Sequence, residues 1–64
     1  MRLSGNVLKQ INGMGVLAED ALAMAEAAAP YTDPDGVGNY RYDDFMFFID
    51  EDTDVVEEIG IVKS

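Results

Sequence analysis

Apolar residues recur at spacings of three and four along the first part of the chain, which is the period of a helix face. Residues 16–29 consist mainly of alanine, leucine, methionine and glutamate, the strongest helix formers. Pro30 ends this run, because proline disfavours helical geometry in the residue before it. A shorter apolar face in residues 1–12 meets glycines near 12–15. We therefore predict helical structure within residues 1–29, with a break near 12–15.

The pattern then changes to one that favours strands. Five apolar residues in a row, Phe45–Ile49, are followed by the turn formers of Asp50–Asp54 and by β-branched residues up to Val62. Two β-capable runs joined by a short acidic connection are typical of a hairpin. The sequence predicts a single α+β domain, in which N-terminal helices pack on a C-terminal antiparallel β-hairpin. The predicted parts of residues 1–64 are helices within 1–29, a loop at 30–39 and a β-hairpin at 40–62, with strands at about 40–50 and 54–62.

The predicted hairpin has two apolar faces. Alternate side chains of a strand point to opposite faces, so Phe45, Phe47 and Ile49 share one face, and Met46 and Phe48 share the other. A helix layer covers only one side of a two-stranded sheet. We therefore expect Met46 and Phe48 to contact a partner protein or a second copy of the chain in a homodimer.

Charge is distributed unevenly along the chain. The formal net charge is −9, and residues 33–64 carry ten acidic residues against two basic ones, Arg41 and Lys63. Such a field repels nucleic acid and anionic membranes, and it attracts basic surfaces. The same charge also serves solubility, which is the simpler interpretation.

Composition excludes several classes of site. The chain has no cysteine and no histidine, so thiolate and imidazole zinc sites are excluded. No run is long enough to span a bilayer, and the first ten residues lack the apolar core of a signal peptide. We expect a cytoplasmic protein, located in the host cell cytoplasm if a phage encodes it.

Residues 33–45 resemble a calcium-binding loop of the EF-hand family. Positions one, three, six and twelve of that loop are filled, in order, by Asp33, Asp35, Gly38 and Asp44. The ligand position five is Val37, which has no side-chain oxygen, and a second loop is missing. The resemblance implies weak calcium binding and a helix at 42–50, whereas an ordinary Asp-Gly turn implies the hairpin. Our prediction is no metal site and no cofactor.

The carboxylates of the second half stand in polar runs, and catalysis by paired carboxylates requires burial that separates their pKa values. No nucleophile stands beside a base. We predict that the protein is not an enzyme. By size, charge and lack of catalytic groups, the chain resembles the small acidic inhibitors of phages and mobile elements, the anti-CRISPR and antirestriction proteins that mimic DNA.

This resemblance implies a viral inhibitor that binds a basic nucleic-acid-binding protein, and not nucleic acid itself. Carboxylates two residues apart on an extended strand are about 6.6 Å apart. If the connection between the strands stays extended, Asp50, Asp52 and Asp54 form a row that imitates phosphates. The alternatives are a weak calcium-binding module and a small oligomeric structural protein. The predicted partner-binding residues are Tyr40, Tyr42, Asp43, Asp44, Asp50, Glu51, Asp52, Asp54, Glu57 and Glu58.

Overall fold

A computed structural model describes residues 1–32 and 38–62 of the chain. In order, these residues form β1 (Arg2–Leu3), α1 (Gly5–Met14), α2 (Ala18–Ala27), β2 (Ala29–Pro30), β3 (Tyr40–Tyr42), β4 (Phe45–Asp50) and β5 (Val55–Ile61). The strands make one sheet in the order β1-β5-β4-β3-β2. Strand β1 is parallel to β5, and the other neighbouring pairs are antiparallel. The predicted α+β class, with N-terminal helices on C-terminal antiparallel strands, is confirmed.

The prediction of one continuous strand at 40–50 is wrong. A two-residue turn at Asp43 and Asp44 divides this segment into β3 and β4, and Tyr42 pairs with Phe45 across the turn. Asp43 has a φ of 55°. Aspartate tolerates this left-handed conformation better than most residues, and a positive φ is what tight hairpin turns require.

Two short strands lie where the sequence predicted none. Strand β1 precedes the first helix and pairs with Val55 and Val56, and β2 follows the second helix and pairs with Tyr40 and Arg41. The predicted loop at 30–39 therefore begins inside a strand at Pro30. A strand of two residues is too short to show a periodic pattern. Its stability comes from strands that are distant in the sequence.

The two helices begin and end for local chemical reasons. The Ser4 hydroxyl accepts a hydrogen bond from the backbone N–H of Val7 at 3.1 Å, which caps the start of α1. Gly15, with a φ of 73°, ends α1, and the predicted break near 12–15 is confirmed. Helix α2 has Glu19 and Asp20 in its first turn, where carboxylates interact favourably with the helix dipole. Neither helix in the described part of the chain is long and apolar enough to cross a membrane.

Both helices pack against the same face of the sheet. Strand β4 contributes Phe47 and Ile49, and the predicted inward orientation of these residues is confirmed. The α2 residues in the core are alanines, whose small side chains let the helix approach the sheet closely. The buried core cluster is Val7, Ile11, Ala21, Ala25, Phe47, Ile49, Val56 and Ile59.

A β-bulge in β5 explains how Val56 and Ile59 both reach this core. In a regular strand, residues three apart point to opposite faces. Here the pairing shifts from Phe48↔Glu58 to Ile49↔Val56, so Glu57 is an extra residue with no counterpart in β4. The bulge returns Val56 to the helix-covered face.

The outer edge of β5 is covered by polar groups around α1. The Ser4 N–H donates to Val56 O at 2.9 Å, and the Ile59 N–H donates to Gln10 Oε1 at 3.1 Å. The carbonyl of Glu57 accepts from Ser4 Oγ at 3.3 Å. These bonds occupy backbone groups that would otherwise be available for pairing with another strand.

Candidate partner-binding surface

The face of the sheet opposite α1 and α2 carries no helix in the described part of the chain; we call it the open face. Cross-strand partners share a face, so the register places Met46 beside Gly60 and Phe48 beside Glu58 on the open face. Arg41 joins them from β3, because it pairs with Met46. The open face thus contains apolar, acidic and basic side chains.

Met46 and Phe48 differ in how much of them remains accessible. Met46 is half-buried, because its side chain lies across Gly60 and against Gly38. A Cβ added at Gly60 would lie 2.7 Å from Met46 Cε, so the flexible end of the Met46 side chain would have to move. Phe48 is 41% exposed. The chain itself therefore covers part of the apolar face that was expected to need a partner, and Phe48 remains available.

The bulge places two glutamates on the open face. Glu57 and Glu58 are both exposed, and Glu58 pairs with Phe48, whereas Glu57 is the extra residue of the bulge next to it. In a regular strand one of two adjacent residues would point into the core. Our sequence interpretation included both glutamates but missed the bulge. The sequence does contain an indication of the bulge, because the apolar residues Val55, Val56 and Ile59 do not alternate strictly with polar ones.

The connection between β4 and β5 is a compact turn. The Asp50 carboxylate oxygen Oδ1 accepts from the N–H of Asp52 at 2.9 Å and from that of Thr53 at 3.4 Å. The Asp54 N–H donates to Asp50 O at 2.8 Å, and Asp54 has a φ of 58°. The predicted extended row of Asp50, Asp52 and Asp54 is therefore wrong, because the Asp50 side chain bonds to its own turn and bends the chain.

Glu51 and Asp54 each bind a group of the protein itself. The Tyr40 hydroxyl donates to Glu51 Oε1 at 2.7 Å. This hydrogen bond, with smaller contributions from burial and from the Glu51 charge, raises the pKa of Tyr40 above its ordinary value. Asp54 Oδ2 lies 2.8 Å from the Met1 ammonium. Tyr40 thus supports the turn, and its contact with a partner stays a prediction.

The turn and the open face meet around Phe48. A shallow groove of about 410 Å³ is lined by Phe48 together with the acidic residues at the start of the turn and by Asn39 and Ile49. Glu58 lies across from Phe48, and Glu57 is next to it. We call this surface the acidic face, and it consists of Phe48, Asp50, Glu51, Asp52, Glu57 and Glu58.

The other predicted residues lie away from this surface. Asp43 and Asp44 are in the β3–β4 turn, at the opposite end of β4 from Asp50. Tyr42 is exposed beside that turn and points to the helix-covered side, because it pairs with Phe45. The structure therefore divides the predicted set into two groups, one at each end of the hairpin.

The helix implied by the EF-hand resemblance is not formed. Residues Phe45–Asp50 are strand β4, whereas the resemblance places a helix at 42–50. Asp33, Asp35 and Val37 lie outside the described residues. Within residues 1–32 and 38–62, no three acidic side chains are arranged to hold a metal ion. The absence of a metal site stays our prediction, and weak calcium binding stays the alternative to it.

Comparison with known proteins gives no matching family model, no matching curated protein and no matching solved structure. The resemblance to phage inhibitors therefore stays one of size and charge. The case for a function depends on the side chains of the acidic face.

Proposed function

We propose that this protein is a non-enzymatic binding protein whose acidic face occupies a basic nucleic-acid-binding surface of another protein. The observation that carries the proposal is the β-bulge. It sets Glu57 next to Glu58 on a face without a helix, and Glu58 pairs with Phe48, whose ring is exposed. The groove beside Phe48 joins this pair to Asp50, Glu51 and Asp52.

The chemistry of this surface suits lysine and arginine side chains. Carboxylates form charge-assisted hydrogen bonds with guanidinium and ammonium groups, as the phosphates of nucleic acid do. An exposed aromatic ring beside them adds packing area and a cation–π contact for arginine. Aromatic residues at the centre of an interface often contribute much of the binding free energy.

Part of the acidic face is held in place before any partner binds. The backbone of Glu58 is paired within the sheet, and the Asp50 carboxylate is fixed by hydrogen bonds to Asp52 and Thr53. The carboxylate of Glu51 is oriented by the Tyr40 hydroxyl. A surface that is already ordered loses less conformational entropy on association.

The arginines near the open face form no ion pair within 4 Å with Glu57 or Glu58 in the described part of the chain. The guanidinium of Arg41 lies 5.5 Å from the centre of the Tyr31 ring, and its Nε donates to Asp43 O at 2.8 Å. Arg2 lines a cleft with Glu57. Within the described residues, one ion pair has its nitrogen and oxygen within 4 Å, and it joins the Met1 ammonium to Asp54 Oδ2. The carboxylates of Glu57 and Glu58 therefore remain available for a partner.

Affinity capture followed by competition tests the proposal. The immobilised protein is used to capture partners from a lysate, and duplex DNA or single-stranded RNA is then added to displace them. We expect nucleic acid to compete with this protein for the captured partner. Between about 0.1 M and about 1 M salt the electrostatic screening length falls from about 10 Å to about 3 Å, so binding should weaken steeply.

The matched variants separate a specific site from total charge. The double reversal Glu57→Lys and Glu58→Lys is expected to weaken binding by about tenfold or more, because it reverses two carboxylates at the centre of the interface. The double reversal Glu19→Lys and Glu26→Lys changes the net charge equally on the exposed side of α2. Equal losses from both pairs, or a partner that holds DNA and this protein together, would contradict the proposal.

The cellular location follows from the same proposal. An inhibitor of this type acts where its partner handles nucleic acid, which is the host cell cytoplasm if a phage encodes the protein. Fractionation of the cells that make the protein, with the captured partner followed in parallel, would test this point.

A further inference from the structure

An apolar groove lies at the end of the molecule away from the Asp50–Asp54 turn. It has a volume of about 600 Å³, which is within the range of ligand-binding sites. The start of α2 forms one wall, and the β3–β4 hairpin forms the other. The side chains that define the groove are Val16, Leu17, Asp20, Met24, Tyr42 and Phe45.

The apolar surface continues beyond the groove itself. Leu17 is 61% exposed, and Ile61 is 58% exposed. Ile61 pairs with Phe45, so its side chain lies on the same face as the groove. Leu17 and Ile61 are more exposed than the other large apolar residues in the described part of the chain.

The position of Leu17 in the fold does not explain why this residue is a leucine. Leu17 is the N-cap of α2, and it makes no side-chain capping hydrogen bond. Serine, threonine, aspartate and asparagine are strongly preferred at this position, because their oxygen accepts a hydrogen bond from the first turn. A leucine here caps nothing and remains mostly exposed. Contact with another molecule would give this side chain a role.

Acidic side chains lie in the groove and beside it, and the nearby guanidinium of Arg41 donates from Nε to Asp43 O in the β3–β4 turn. Asp20 lines the groove, and Asp43 and Asp44 are exposed in the turn beside Tyr42. No lysine or arginine is among its described lining residues. A second copy of the chain would bring these carboxylates together, and each copy carries a formal net charge of −9. Like charges at close range oppose such a pairing, whereas a cationic partner is attracted.

We propose that the apolar groove binds a protein segment whose apolar side chains are flanked by lysine or arginine residues. Its apolar side chains would pack on Leu17, Met24 and Phe45, and its cationic groups would contact Asp20 and the β3–β4 turn. The groove is on the helix-covered side of the sheet, and the acidic face is on the open side. The two surfaces can therefore be occupied at the same time, and this inference does not depend on the proposed function.

Synthetic helical peptides supply defined probes. The main probe carries leucine on one face and lysine on the other. One control replaces its lysines with glutamate, and a second control replaces its leucines with alanine. Amide chemical shifts of the protein are followed during titration with each peptide. We expect saturable shifts centred on Leu17, Tyr42 and Phe45 with the leucine–lysine peptide, and much weaker binding of both controls.

Leu17→Ser is the informative variant, because serine is a better N-cap than leucine and α2 should stay folded. We expect it to weaken binding of the leucine–lysine peptide about tenfold, because it removes the most exposed apolar side chain of the groove from the contact. The matched control is Leu8→Ser on α1, at a residue 46% exposed and outside the groove. This control should bind as the wild type does.

Several outcomes would overturn the inference. If the leucine–glutamate peptide bound as tightly as the leucine–lysine peptide, charge would not contribute to recognition. If the alanine–lysine peptide bound as tightly, the apolar groove would not contribute. Shifts centred on Glu57 and Glu58 would place the peptide on the acidic face. Sedimentation that shows a dimer weakened by Leu17→Ser would assign the groove to a second copy. Reversal of Glu57 and Glu58 should leave binding in the groove unchanged, so the two proposals can fail separately.

Discussion

Asn39 holds the sheet together where β3 begins. Its side-chain amide Nδ2 donates to Ile49 O, and its Oδ1 accepts from the Ile49 N–H, both at 2.9 Å. Its own backbone N–H donates to Phe47 O at 3.0 Å. The Asn39 side chain thus takes the place of a strand residue next to Ile49. We expect its replacement to destabilise the whole hairpin, although the sequence alone placed Asn39 in a loop.

The expected loss can be worked from these two bonds. Asn39→Ala leaves a donor and an acceptor of Ile49 without their partner in a partly buried position. An unsatisfied group of this kind costs about 1–3 kcal/mol, and partial access to water favours the lower end, so we expect about 2–3 kcal/mol for both groups. At about 0.05–0.15 kcal/mol per residue, a chain of 64 residues has a free energy of unfolding of about 3–10 kcal/mol.

Asn39→Asp gives a second test with a defined pH dependence. The ionised carboxylate can still accept from the Ile49 N–H, but it places an oxygen against Ile49 O. A protonated carboxyl can donate there again, so folding should raise the pKa of the introduced carboxyl. The stability relative to wild type should therefore be recovered below the unfolded pKa of about 3.9, and it should be lost as the pH rises through the higher folded pKa.

Urea unfolding at neutral and acidic pH measures these effects, with hydrogen exchange of the Ile49 amide as a local reporter. The control is Asn12→Ala, at an exposed residue of α1. Comparison at each pH with the wild type removes the general effect of neutralising the other carboxylates. An unchanged urea midpoint in Asn39→Ala, together with a still protected Ile49 amide, would refute the assigned role of Asn39.

Two further predictions concern neighbouring elements. Phe47 is fully buried, so Phe47→Ala should lower the free energy of unfolding by about 3–5 kcal/mol. Phe48 is on the open face, so Phe48→Ala should lower it much less. Circular dichroism during urea unfolding distinguishes them, and equal losses would show that the faces are misassigned. The raised pKa of Tyr40 stabilises the fold below the unfolded pKa of about 10, and this contribution is lost as the pH rises through the folded value. Glu51→Ala should lower the Tyr40 pKa toward its ordinary value in an ultraviolet titration, and an unchanged titration would exclude the hydrogen bond.

Several features of the protein are determined by the sequence alone, because they depend on residues close together in the chain. The composition of residues 16–29 predicted α2, and Gly15 ended α1 where a break was expected. Strand alternation grouped Phe45, Phe47 and Ile49 on one face, because side chains two apart point the same way. The larger apolar area of that face indicated that it is the inward one. The asymmetry of charge was likewise visible before any fold was known.

The arrangement of the candidate surface was decided only by tertiary structure. The bulge at Glu57 forms because Val56 and Ile59 must both reach a core supplied by α1, α2 and β4, and a strand in isolation carries no such requirement. Asn39 gains its role only when the chain returns beside Ile49. Separation of the two acidic turns by β4 likewise follows from pairing between distant segments. These contacts join residues far apart in the sequence, so only the folded chain determines which carboxylates share a surface.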